Sequence, residues 1–120
     1  MTAVDPQLLN LAQSFPEAAV LQSFKELEAV LLTIRQRLPD DKPHRNLNEV
    51  LQALADDNQI SQSVISLFQS LRQARNTAAH GKSGEKLTQG EAVELINQMK
   101  TLQGLFETVL NKLPPKSNRV

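Results

Sequence analysis

The chain has 120 residues, 13 basic and 13 acidic side chains, no cysteine, no tryptophan or tyrosine, and four phenylalanines. That length suits one domain with a core of its own. The composition excludes disulfides and thiolate metal sites, and it argues against an aromatic platform for single-stranded nucleic acid. A net charge of zero means that any polyanion site must be local rather than global. No apolar run approaches the roughly 18 residues of a membrane span. The opening MTAVDPQLLN lacks the basic start and apolar centre of a signal peptide. A soluble, cytoplasmic protein with no membrane association is expected, and a domain cut from a longer soluble protein would read the same way.

No stretch alternates with a strand's period of two, so an all-α fold is expected. Residues 1–13 form an N-terminal segment in which Asp5 and Pro6 can start a short helix. Ser14 and Glu17 have capping-box spacing, with Pro16 in the first turn. Val20, Phe24, Leu27, Leu31 and Ile34 then mark one buried face, ending at Leu38 before Pro39. PDDKPHRN is a polar loop that carries His44. Arg35, Arg37, Lys42 and Arg45 around it are interrupted by Asp40 and Asp41, and read as a solvated edge. Asn46 and Glu49 can cap a shorter helix with Val50, Leu51 and Leu54 inward. The next helix runs from about Ser61 to His80, where Gly81 is a natural C-terminal stop. GKSGEK is a loop, and Thr88 and Glu91 cap a last helix carrying Val93, Ile96, Met99, Leu102, Phe106, Val109 and Leu110. Pro114 and Pro115 end it, leaving residues 114–120 as a tail. The expectation is an antiparallel bundle of four to five helices, with residues 14–113 as its body.

The third of the long helices poses the functional question. At about 100° per residue, Ile60, Val64, Leu67, Leu71, Ala74 and Ala78 share one stripe, the expected core face. Beside it lie Ile65, Phe68, Arg72, Asn76 and Ala79, with Gln69 and His80 at the far edge. A solvated face does not need Ile65 and Phe68, and a core face does not accept Arg72 and Asn76 unpaired. The mixed set therefore reads as an interface with a second chain, made by Ile65, Phe68, Arg72, Asn76 and Ala79. Arg75 points into the seam between the two faces. It lies five residues before His80, about 140° away around the axis, so one helix does not focus both groups on a point.

LRQARNTAAHG resembles the signature of the HEPN superfamily (higher eukaryotes and prokaryotes nucleotide-binding domains), an arginine followed after four to six residues by a histidine, often with a polar residue directly after the arginine. Here these are Arg75, Asn76 and His80. PEAAVLQSFKELEAVL, NLNEVLQAL and LTQGEAVELINQMKTL are similar to the flanking helices of a small bacterial branch, so the resemblance spans roughly residues 16–113.

The resemblance implies a helical bundle that dimerises, with both motifs lining the interface. It also implies a metal-independent endoribonuclease, with roles in toxin–antitoxin, phage-defence or RNA-processing systems, or a non-catalytic relative that binds nucleotides or partner proteins. A cognate antitoxin or regulatory protein is a possible partner. In the catalytic case a 2′-hydroxyl attacks the adjacent phosphate. His80 serves as general base or acid, since imidazole titrates at about 6.5. Arg75 meets the developing phosphate charge, and Asn76 orients either group. Arg72, Lys82 and Lys86 are candidate phosphate contacts, and no cofactor or metal is required. The plainer alternative is that His80 only complements the dipole and last carbonyls of its helix.

Overall fold

A computed structural model describes residues 4–38, 46–80 and 86–114. These residues form five helices, α1 (Pro6–Ser14), α2 (Pro16–Arg37), α3 (Leu47–Asp56), α4 (Gln62–His80) and α5 (Gln89–Lys112). No strand occurs among them. The sites expected at His44, Lys42, Arg45, Gly81 and Lys82 lie outside the described residues, as does most of the tail.

Local chemistry explains most helix boundaries. Asp5 caps α1 by accepting from the Gln7 amide at 2.9 Å. Asn46 and Glu49 form a reciprocal capping box on α3, and Thr88 and Glu91 form another on α5. The two hydrogen bonds from Thr88 hold the Glu91 carboxyl below its ordinary pKa. At the end of α3, Asn58 takes a φ of 59°. The Gln59 amide then returns to the Leu54 carbonyl at 2.8 Å and the Asn58 amide to Ala55 at 3.0 Å, so asparagine fills the left-handed position of a Schellman stop.

The start of α2 differs from the sequence expectation. Ser14 is the last residue of α1, and Phe15 occupies the cap position without a side-chain bond. Pro16 explains the break: its ring disfavours helical backbone in the residue before it, and Phe15 is at φ −140°, ψ 74°. Glu17 is used elsewhere. Its carboxylate accepts from the Leu87 amide at 2.7 Å and ties the approach to α5 to the first turn of α2.

Three contacts set the helix directions. Glu17 meets Leu87, Glu26 meets Lys100, and Arg37 donates to the Leu110 carbonyl. Both series rise together, so α2 and α5 lie side by side in the same direction. This corrects the uniformly antiparallel arrangement. The connection through α3 lets α4 return against both, with Phe68 placed between Phe24 of α2 and Phe106 of α5. Phe15 turns α1 back along the first half of α2, where Leu8 and Ala12 join the core.

The core is made by the periodic faces of α2, α3 and α5. Val20, Phe24, Leu27, Leu31, Ile34, Val50, Leu51, Leu54, Ile96, Met99, Leu102, Phe106 and Val109 are all buried. α4 is turned relative to its expected face. Ile60, Ile65, Phe68 and Leu71 are buried, whereas Val64, Leu67, Ala74 and Ala78 are only partly so. The expectation that Ile65 and Phe68 present an apolar surface to a second chain is corrected: they pack inside this chain. A helix held between two neighbours buries a wide arc, and periodicity does not say which edge of that arc lies at the centre.

An ion pair links α2 to α5. Lys100, 7% exposed in its side chain, bonds to Glu26, whose side chain is 38% exposed. Gln22 donates to the same carboxyl group and Gln103 accepts from Lys100. Partial burial alone raises the Glu26 pKa, but the bonds from Lys100 and Gln22 and the Lys100 charge more than offset it, so the net shift is downward. A depressed carboxylate stabilises the fold fully above its ordinary value near 4.5 and loses that contribution as pH falls through the lower folded-state value. Thermal melts of the parent and Glu26→Gln should therefore differ most near neutral pH and converge as the pH falls below the lowered Glu26 value. A gap that is constant across that range contradicts the pair's role.

Candidate phosphate site on α4

The C-terminal half of α4 carries every described member of the sequence motif. Phe68 and Leu71 anchor its inner face, both essentially without exposure. One residue further round, Arg72 and Arg75 are half-buried, while Asn76, Ala79 and His80 are exposed. Their places follow from helical spacing. Residues three or four apart are neighbours on one face, and long side chains lean towards the N-terminal turn.

That lean brings the Arg72 guanidinium back over Phe68, with 5.9 Å from its carbon to the ring centroid. Arg75 crosses to α2, where its guanidinium carbon stands 5.1 Å from the Phe24 centroid. The two rings belong to one aromatic row: Phe24 and Phe68 are 5.4 Å apart, and Phe68 and Phe106 are 6.4 Å apart in an edge-on arrangement. Neither arginine has a hydrogen bond or a carboxylate partner among the described residues, and the Arg75 Nε is buried without an acceptor.

The structure thus brings Arg72 and Arg75 onto one aromatic step. It does not bring His80 to them. His80 ends α4 about 7 Å further along the axis and on a different side, with Asn76 and Ala79 in the exposed stretch between. Lys86 is exposed shortly before α5 begins. The bond from Leu87 to Glu17 anchors that segment at the end of the bundle where α2 starts. Since α4 runs against α2, His80 lies towards the same end.

Chemically, this surface offers two guanidiniums with unused donors, an exposed amide and an exposed imidazole. No group of three or more His, Asp or Glu side chains suited to a metal ion occurs among the described residues. No described helix is long and apolar enough to cross a membrane. Phe24 is the site member that sequence reasoning missed. The step of four from Phe68 to Arg72 is readable along one helix, but the approach of Arg75 to Phe24 depends on the packing of α4 on α2.

Comparison with known sequences matches a family described as Domain of unknown function (DUF4145) over residues 10–120. No curated protein and no solved structure matches the chain. The match takes in the second half of α1, α2 through α5 and the whole motif on α4. The chain therefore belongs to the DUF4145 family.

Proposed function

We propose that this protein is a metal-independent endoribonuclease of the HEPN type, acting in the cytoplasm as a homodimer, in a toxin or defence role. The observation that carries the reading is the pair of half-buried guanidiniums, Arg72 and Arg75, which have no carboxylate partner among the described residues, on the helix that ends in exposed His80. Cations without a counter-charge among those residues suit an anionic ligand, and an arginine edge matches phosphate oxygens. The resemblance of Arg75, Asn76 and His80 to the HEPN signature supplies the reaction.

In that reaction a 2′-hydroxyl loses its proton to one imidazole and its oxygen attacks the adjacent phosphorus. The bond from phosphorus to the 5′-oxygen breaks, and the second histidine, as an imidazolium, gives its proton to that leaving oxygen. The products are a 2′,3′-cyclic phosphate and a 5′-hydroxyl. Arg75 meets the charge on the non-bridging oxygens, Asn76 orients phosphate or imidazole, and Arg72 and Lys86 hold neighbouring phosphates. Two copies supply the two histidines, which fits the separation of Arg75 and His80 around a single helix.

A second reading is a non-catalytic HEPN-like module that binds a nucleotide, an antitoxin or another partner protein. The zero net charge and the scarcity of aromatic side chains favour it, because RNA binding draws on positive charge and on aromatic stacking.

The test is incubation of the purified protein with mixed structured and single-stranded RNA in EDTA, beside Arg75→Ala and His80→Ala. Cleavage by the parent that leaves cyclic-phosphate ends and is lost in both variants supports the nuclease. Equal cleavage by all three overturns the assignment of these residues. No cleavage by a folded parent overturns the enzyme and leaves the binding module.

A further inference from the structure

We infer that Phe24 and Phe68 are positioning residues, which hold Arg72 and Arg75 for one ligand that carries two or more negative charges on its phosphate groups, as pyrophosphate or two successive phosphodiesters do. This rests on the reading that this end of α4 engages phosphate. It adds how the site is built and which residues outside the motif set its affinity.

Three observations combine. First, both guanidiniums stand over rings of the same aromatic row, at 5.9 and 5.1 Å. A cation held over a ring face is held without a hydrogen bond, so its N–H donors are not consumed by that contact. A carboxylate partner would have occupied them, and neither arginine has one among the described residues. Second, the two arginines are three residues apart on one helix, and the rings they stand over are 5.4 Å apart. Like charges at that helical spacing repel, and an anion of two or more charges relieves the repulsion. Third, the rings themselves are fixed. Phe24 is 1% exposed and Phe68 is fully buried, so they do not move with solvent as surface aromatics do. An arginine ordered before its ligand arrives loses less freedom on binding.

The Nε of Arg75 is buried and has no acceptor among the described residues, so an anion would meet this guanidinium through its Nη atoms.

Inorganic pyrophosphate is the probe, followed through the Nε–Hε resonances of Arg72 and Arg75 in a labelled, full-length chain. In the parent, the Arg75 resonance is displaced by the Phe24 ring current, and both resonances shift saturably with pyrophosphate. Phe24→Leu weakens that binding by about three- to tenfold, and Phe24→Tyr, which keeps the ring face, restores it. Phe106→Leu is the structural control, since it removes a buried ring of the same row that carries no arginine; binding should stay within about twofold.

Absence of a saturable shift in the parent overturns the inference, as does equal weakening by Phe24→Leu and Phe106→Leu. Failure of the functional reading looks different. A parent that binds pyrophosphate through both arginines yet cleaves no RNA loses the nuclease and keeps the ring-held arginine pair. A parent that cleaves RNA while its two phenylalanine variants behave alike keeps the nuclease and loses the positioning role of Phe24.

Discussion

On the proposed nuclease reading, replacing His80 with alanine should lower the RNA cleavage rate by about a hundred- to ten-thousandfold while leaving the fold intact, the range spanned by losing a positioned acid or base. The side chain is exposed and makes no hydrogen bond or ion pair among the described residues, so little packing is lost. Stability should change by no more than about 0.5 kcal/mol. The contrasting role, a histidine that only complements the helix end, predicts the opposite pattern: about 0.3–1 kcal/mol of stability lost as the imidazole is charged, with no rate to lose. Rates measured on a defined oligoribonucleotide, beside thermal melts above and below neutral pH, separate the two. A variant that melts as the parent does and cleaves as fast removes His80 from the mechanism.

Phe68→Ala should be the most damaging single change in the core. The ring has no exposure and contacts rings on two other helices, Phe24 of α2 and Phe106 of α5. Emptying such a site costs about 3–5 kcal/mol through lost burial and the cavity left behind. For a chain of 120 residues that is a fall in Tm of roughly 12–20 °C. The measurement also decides between two roles for this residue. A core Phe68 lowers the melting temperature equally at every protein concentration. A Phe68 buried between two chains instead makes the variant's loss grow with protein concentration, because only associated chains use the contact. A loss that vanishes on dilution would contradict the packing of α4 described above.

Much of the fold was legible because it rests on local chemistry. Asn46 with Glu49, and Thr88 with Glu91, satisfy the free amides of their own helix ends and need no distant partner. The faces of α2, α3 and α5 repeat every three to four residues, and their large apolar members are the ones buried. Ser14 and Glu17 show the limit of the same reasoning. Their spacing permits a box, but Pro16 imposes an extended Phe15, and Glu17 serves a longer-range contact with Leu87. The motif was legible too, as Arg75, Asn76 and His80 at the end of a helix. Its relation to the aromatic row was not, since Phe24 and Arg75 are far apart in sequence.

By itself, then, the order of residues determined that the chain is helical, where most of its helices begin and end, and which one carries the unusual polar groups. These follow from interactions within a few residues, where backbone geometry limits what each side chain can reach. Tertiary structure alone decided that α2 and α5 run in the same direction, that Ile65 and Phe68 face inward, and that Arg72 and Arg75 rest on rings of the core. The physical reason is that a helix with apolar residues over a wide arc has several low-energy rotations about its own axis. Only the volumes and charges of its neighbours select among them.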